Sequence, residues 1–263
     1  MPEHPMRAAL AGLVAGGLAF GGLAGPAAAQ SETAWTELRT SVIGDRAPEE
    51  GEGVLTLDAP KRAEDAAIVP LGVKVNLPEG RRLKELTLVV DENPAPVVGR
   101  FQVAEGQGPF ELSVRVRVNS YSWVRAIAET TDGRLYMTKA YVKAAGGCSA
   151  PAGKDPQQAQ ANLGQMRFRV LADRGEAQVQ VRHPNYSGLQ MDQVTRLFTP
   201  AWYVESLTVR QGEKPVLSMT GGISISEDPT FRFSYAASGE PVTVEAKDTE
   251  GRVFKETFPG GAS

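Results

Sequence analysis

One cysteine and one mature histidine bound the chemistry open to this chain. Cys148 is the sole cysteine among 263 residues and sits in Gly146-Gly147-Cys148-Ser149-Ala150-Pro151; the histidines are His4 and His183. A thiolate attacks electrophiles and accepts groups, and a free thiol with a pKa of about 8.5 is a few per cent ionised at neutral pH, a fraction that Lys143 or Lys154 would raise. The product can be a disulfide, a persulfide or an S-sulfonate, each released later by a second thiol or an enzyme. Gly146 and Gly147 lack a Cβ, so an arm running from them through Ser149 and Ala150 can enter a narrow cleft and rotate the sulfur with few steric limits. Burial is the usual fate of a free cysteine, yet no neighbouring side chain is available to cover this one. An accidental exposed thiol and a disulfide between two copies stay open as plainer readings.

The same scarcity closes other classes. A dedicated zinc cage draws on several Cys and His ligands, and no metal or other cofactor is expected. His183 follows Val179 and Val181 in strand register, which favours a structural histidine, and no G-x-S-x-G frame supports a hydrolytic triad. Without a C-x-x-C partner, a thiol redox cycle needs a second protein. Glu64-Asp65 and Glu49-Glu50-Gly51-Glu52 read as solvated loop acids. Arg115, Arg117, Arg167 and Arg169 could attract an anionic sulfur species, but solvent-facing strand positions are the better-supported reading. Trp35, Trp123 and Trp202 read as packing, and Phe198 to Tyr203 as an apolar patch between halves or toward a partner. Net charge is −3 and no dense Lys/Arg run occurs, so nucleic acid is a poor partner.

The elements that must position Cys148 follow from periodicity. Arg7, the apolar run Ala8 to Leu23 and Ala27-Ala28-Ala29 before Gln30 form a signal peptide over 1–29. Cleavage leaves 234 of the 263 residues, an exported, periplasmic chain with no membrane span in its mature form. In an oxidising compartment a lone cysteine is buried, bonded to another molecule or reactive. Trp35, Leu38 and Val42 recur at helical spacing until Gly44. Period two then takes over, most clearly where Phe110, Leu112, Val114, Val116 and Val118 alternate with Glu111, Ser113, Arg115, Arg117 and Asn119. Asp132-Gly133 signals a type I′ hairpin.

Residues 146–165 are rich in Gly, Ala, Pro and Gln and bury almost nothing, so they read as a flexible linker, with a short helix after Asp155-Pro156. Strand patterns resume at Met166. The expected architecture is all-β: two immunoglobulin-like antiparallel sandwiches with separate small cores, at 30–145 (with a short N-terminal helix) and 166–263, joined by a flexible Cys-bearing linker. Asp132-Gly133-Arg134-Leu135 and Glu250-Gly251-Arg252-Val253 echo each other at the two ends.

These residues carry a resemblance. Val54 to Val75, the Asn93-Pro94-Ala95-Pro96 turn, Arg115 to Val118, Ala126 to Gly133 and Gly146 to Cys148 resemble SoxY, the carrier subunit of the periplasmic thiosulfate-oxidising Sox system. Arg182 to Asp192, Pro200 to Met219, Ser224 to Tyr235 and Asp248 to Phe258 resemble SoxZ, its partner. The whole is similar to the fused SoxYZ-like carriers found with quinoprotein alcohol dehydrogenase systems. The resemblance implies a non-enzymatic carrier of sulfur metabolism, with a small sulfur species covalently bound to Cys148 and presented to sulfur-oxidising or quinoprotein-linked periplasmic redox enzymes. A non-covalent accessory or docking module for a quinoprotein (PQQ) alcohol dehydrogenase system is the alternative. This chain departs from SoxY in that Ser149-Ala150 replaces a second glycine pair and the arm runs on into the second half, so the cysteine enters any partner as a loop. Fusion favours pairing of the halves within one chain; exchange between chains stays open.

Overall fold

The computed structural model describes residues 1, 27–104, 109–151, 153, 156–192 and 195–260; residues 2–26 of the expected signal peptide lie outside them. Helix α1 (Ala27–Ile43) is followed by β1 (Glu49–Glu50), β2 (Leu55–Asp58), β3 (Val69–Val75), β4 (Leu83–Val90), β5 (Val97–Val103), β6 (Phe110–Val116), β7 (Ser122–Thr130) and β8 (Leu135–Val142). Helix α2 (Pro156–Ala161) precedes β9 (Met166–Leu171), β10 (Glu176–Val181), β11 (Val204–Gln211), β12 (Lys214–Gly221), β13 (Thr230–Ser234), β14 (Gly239–Asp248) and β15 (Val253–Gly260). Among the described residues no helix is long and apolar enough to cross a membrane.

The chain is all-β with immunoglobulin-like halves, but the halves do not keep separate cores. A nine-stranded sheet runs β1-β8-β7-β4-β5-β12-β11-β14-β15 and a six-stranded sheet runs β2-β3-β6-β13-β10-β9. Each crosses from one half to the other through antiparallel edge pairing. In the larger sheet Leu217 to Gly221 lie opposite Val103 to Gly99; in the smaller, Phe231 and Phe233 face Val114 and Leu112. One hydrophobic cluster therefore holds Leu86, Phe101, Leu112 and Val116 together with Val179, Leu207, Phe231 and Val244. Phe101 and Phe231 meet edge to face across the seam, 5.8 Å between centroids. The physical reason is edge satisfaction. Two separate sandwiches would each expose unpaired strand N–H and C=O groups beside apolar side chains.

The alternation read from β6 holds: Phe110, Leu112, Val114 and Val116 are buried while Glu111, Ser113 and Arg115 are half-exposed. The Asp132-Gly133 hairpin forms with different geometry. Among described non-glycine residues only Asn185, Arg196 and Asp228 have positive φ, whereas Gly133 has φ +84. The Gly133 N–H bonds the Thr130 carbonyl and the Thr130 N–H bonds the Arg134 carbonyl. This is a three-residue loop with glycine alone in the left-handed region, not a type I′ turn. Gly251 repeats it, with φ +81 and the matching bonds to Asp248.

Helix α1 packs on the outer face of the larger sheet, where Trp35, Val42 and Ile43 cover Val89, Ile127 and Leu135. Gly44, at φ +69, ends it, its N–H bonded to the Thr40 carbonyl. Beneath the helix, buried Arg125 grips Asp91 through Nε and Nη2 at 2.7–2.9 Å and lies 4.5 Å from the Trp35 ring.

A shared core makes one cooperative unit. Truncating Phe101 to Ala should cost roughly 3–5 kcal/mol and lower a single calorimetric transition as a whole; separation into two transitions, one of them unmoved, would show independent cores.

Candidate functional site

Cys148 lies at the seam, and its seat is built from both halves. Beyond Val116 the chain leaves the β6 ladder: the Arg117 N–H bonds the Ser224 carbonyl at 2.7 Å and the Val118 N–H bonds the Ala66 carbonyl at 2.9 Å. Asn93 fixes this exit, its Nδ2 donating to the Arg117 carbonyl at 2.7 Å and to Ser224 Oγ at 2.9 Å. Its Oδ1 accepts the Asn119 N–H at 2.8 Å. The returning chain pairs with that exit, the Gly146 N–H on the Asn119 carbonyl at 2.8 Å and the Gly147 N–H on the Val118 carbonyl at 3.1 Å. Gly146 takes φ +78, and the Ser149 N–H closes the turn on its carbonyl at 3.1 Å.

The two glycines therefore have structural work in addition to any mobility. Gly146 supplies the left-handed conformation that β-carbon-bearing residues adopt at a cost. At Gly147 a Cβ would overlap the Ala66 carbonyl oxygen and approach the Val118 carbonyl oxygen to 2.7 Å. No side chain fits there without moving backbone.

Cys148 itself is fully buried, which corrects the expectation of an arm uncovered by side chains. The cover comes from the second half. Ser187 Oγ donates to the Cys148 carbonyl, Gln190 Nε2 donates to the Ala150 carbonyl at 2.9 Å, and Gln190 Oε1 accepts the Ser187 N–H at 3.2 Å. Ser149 is exposed and Ala150 half-buried. Burial pushes the thiol up to about 11, with the nearby Arg117 guanidinium pulling the other way. The cation acting on the sulfur is thus Arg117 and not Lys143, which is exposed; Lys154 lies outside the described residues.

Arg117 also departs from the solvent-facing position expected of it. It is 2 % exposed because the loop of the second half closes over the polar side of the strand end. Its Nη2 donates to the Asn185 carbonyl at 3.0 Å and its Nη1 reaches the Gly147 carbonyl at 3.5 Å, while Nε has no partner. Burial pushes its pKa down, against the pull of Cys148, Glu227 and Asp65. Arg115 is half-buried, its Nη2 on the Asp228 carbonyl and on Thr230 Oγ1, each at 3.0 Å. Arg167 and Arg169 are exposed as expected, as are Glu49, Glu50, Glu52, Glu64 and Asp65.

His183 is a structural histidine. Burial pushes its pKa down, its Nδ1 accepts the Asn185 N–H at 3.0 Å, and its Nε2 is 3.5 Å from Asp248 Oδ2. Trp202 packs edge-on against it at 4.7 Å and donates to Asp248 Oδ2 at 2.8 Å. This cluster anchors Asn185, whose Oδ1 accepts the Val204 N–H at 3.0 Å. Of the Phe198 to Tyr203 patch only part packs: Trp202 is half-buried on His183, whereas Phe198 and the adjoining Leu197 are 62 % and 69 % exposed. Asn93, Asn185, Ser187, Gln190 and Ser224 complete the seat; the sequence marks them only as parts of segments that resemble SoxY and SoxZ, not as site residues. Among the described residues no cluster of His, Cys, Asp and Glu is placed to hold a metal.

The seat makes the thiol slow and its ionisation late. In the native chain, alkylation by iodoacetamide at pH 8 should run at least about tenfold slower than in urea and rise toward pH 11; Ser187→Ala with Gln190→Ala should speed it severalfold, and equal native and unfolded rates would contradict the burial. The unfolded thiol loses its proton near 8.5 and the native one near 11. The native state therefore holds more protons between those values, and stability should decline as pH rises through them. Cys148→Ser should flatten that decline in urea melts.

Two family models match the chain: the sulfur oxidation protein SoxY over residues 39–148 and the sulphur oxidation protein SoxZ over residues 168–259. No curated protein sequence matches it. Among solved structures, the sulfur carrier protein SoxY from Chlorobium limicola f thiosulfatophilum is 24% identical, with 43% of this chain and 97% of that chain covered and a TM-score of 0.36. A superoxide reductase (neelaredoxin) from Ignicoccus hospitalis is 13% identical, with 34% and 79% covered and a TM-score of 0.30. The SoxY match ends on Cys148 itself, and the SoxZ match spans the strands and loop that cover it. The chain is a SoxY domain and a SoxZ domain in tandem and belongs with the fused SoxYZ-like proteins of sulfur oxidation.

Proposed function

We propose that this protein is an exported, periplasmic carrier, not itself an enzyme, that bears a sulfur intermediate covalently on Cys148 and presents it to partner redox enzymes. The observation that carries the reading is the place of the only cysteine: it closes the SoxY match and sits on a Gly-Gly turn held by side chains of the SoxZ half. Export rests on the sequence of residues 1–29 and agrees with the lone thiol.

Carriage needs two states. In the closed state the sulfur is shielded and its thiol stays protonated, which protects it from adventitious oxidation. Presentation requires the turn to leave its seat, breaking the contacts of Ser187 and Gln190 with the Cys148 and Ala150 carbonyls. Neither contact belongs to a strand ladder, so the sheets can remain intact while the arm opens. The partners on this reading are sulfur-oxidising or quinoprotein-linked redox enzymes.

A second reading has its own observation. Leu197 and Phe198 are exposed near the loop that covers Cys148, which suits a docking module for a quinoprotein alcohol dehydrogenase system with the cysteine secondary. The two separate cleanly. Mature protein isolated from its own periplasm without reductant should carry added mass on Cys148 that dithiothreitol removes, matching sulfur, sulfite or thiosulfate. The Cys148→Ser variant should lack that mass and keep its fold. An unmodified thiol while the pathway runs, with full rescue of a deletion strain by Cys148→Ser, would establish docking instead.

A further inference from the structure

A buried guanidinium without a carboxylate in contact is costly, because desolvation is offset only when the charge finds a partner. Arg117 is such a group. It is 2 % exposed; among the described residues its guanidinium donates to two neutral carbonyls, Asn185 at 3.0 Å and Gly147 at 3.5 Å, and its Nε is unsatisfied. Glu227 and Asp65 act on it only through space. The charge sits beside the sole cysteine and acts on it electrostatically, and the carbonyl that Nη1 reaches belongs to Gly147, directly before Cys148.

Resting on the reading of Cys148 as the carrier residue, we propose that Arg117 binds the terminal negative charge of the sulfur group on Cys148 and makes the site selective for cargo ending in an anion, such as a sulfonate. A guanidinium is a rigid fork of five donors that matches the oxygens of an oxyanion, and such charge-assisted hydrogen bonds are stronger than neutral ones. The orphaned Nε and the long Nη1 contact are the donors with capacity left. A loaded oxyanion would give these donors a charged acceptor.

The cargo can be installed by a reagent that is itself the oxidant. Tetrathionate is attacked at an inner sulfur by the Cys148 thiolate; a Cys–S–S–SO3− adduct forms, thiosulfate leaves with the bonding pair of the broken S–S bond, and the thiol proton passes to solvent. Methyl methanethiosulfonate gives the neutral comparison, Cys–S–S–CH3, with methanesulfinate leaving. For both adducts on the full mature chain, the rate of release by dithiothreitol would be measured in buffer and in urea. The ratio of the two rates is a protection factor, free of intrinsic leaving-group differences.

The native chain should protect the sulfonate adduct about tenfold more than the methyl adduct, as a single charge-assisted contact warrants, although the sulfonate is the larger group and size works against it. Arg117→Met should bring the two protection factors together. A purely structural Arg117 would lower both equally and leave their ratio unchanged, which overturns the proposal. Equal protection, or better protection of the methyl adduct, in the wild-type chain overturns it with no variant needed. Where Arg117→Met does not fold, Arg117→Lys serves, since loss of the fork should lower the ratio about threefold and an unchanged ratio again overturns it. The carrier reading fails separately, if Cys148 isolated from the periplasm bears nothing, whatever Arg117 does to a reagent-loaded group.

Discussion

The pairing of two sheet edges across the seam is the constraint on which the rest of this structure depends. β5 meets β12 and β6 meets β13, so both sheets and the apolar layer between them are continuous from one half to the other. Ser224 follows β12, and Asn185, Ser187 and Gln190 lie between β10 and β11. The same pairing brings all four against the end of β6 and the Gly-Gly turn. A SoxY-like half alone would leave the Arg117 N–H, the Cys148 carbonyl and the Ala150 carbonyl without the partners they have here. The SoxZ half is the other wall of the site, and fusing the halves keeps that wall at high local concentration.

Much of the fold is legible in the sequence, and the reasons for the exceptions are physical. Period-two alternation locates β6 because one face meets apolar side chains and the other meets water. It fails at Arg117, the next residue on the polar face, because alternation assumes that polar means wet and the second half covers that end of the strand. The turn at Gly133 is legible as a turn but not in type, since Asp-Gly suits both a two-residue loop and a three-residue one. The merged core leaves one trace: Val97–Val103 carries a single charged residue, Arg100, with Gly99 just before it, which is poor protection for an exposed edge. Gly99 also lies where a Cβ would come within 3.1 Å of the Thr220 carbonyl oxygen, so close strand approach at the seam is written into that residue.

The covering of Cys148 was illegible for a related reason. Its neighbours in the sequence are Gly, Ser, Ala and Pro, none of which can cover a sulfur. The residues that hold it are 39 and 40 positions downstream of the carbonyls they bind, in a loop whose Ser, Gly and Gln composition looks solvent-facing. The glycines misled in the same direction. Adjacent glycines suggest freedom, whereas Gly147 is required because backbone carbonyls from Ala66 and Val118 crowd its α-carbon. A residue chosen for lack of a side chain can serve tight packing or motion, and composition does not separate the two.

If Cys148 is the carrier residue proposed above, these two uses of glycine also constrain how its arm opens. The turn is tethered on its first side by β8 and on its second by the chain that returns to β9, so the sulfur cannot emerge as a free end. The stretch from Cys148 to Met166 reaches about 60 Å when extended at roughly 3.3 Å per residue, far more than departure from a seat at the seam requires. Reach is therefore not limiting. The limit lies in the contacts that must break together: the Gly146 and Gly147 N–H groups on the β6 exit, and Ser187 and Gln190 on the carbonyls that follow. Breaking the first pair exposes backbone groups that water can satisfy, but it also removes the contact of Arg117 with the Gly147 carbonyl. Opening thus leaves the buried guanidinium with the Asn185 carbonyl alone, and a charge stripped of one of its two carbonyls adds to the cost of undocking the arm unless water or a partner replaces it.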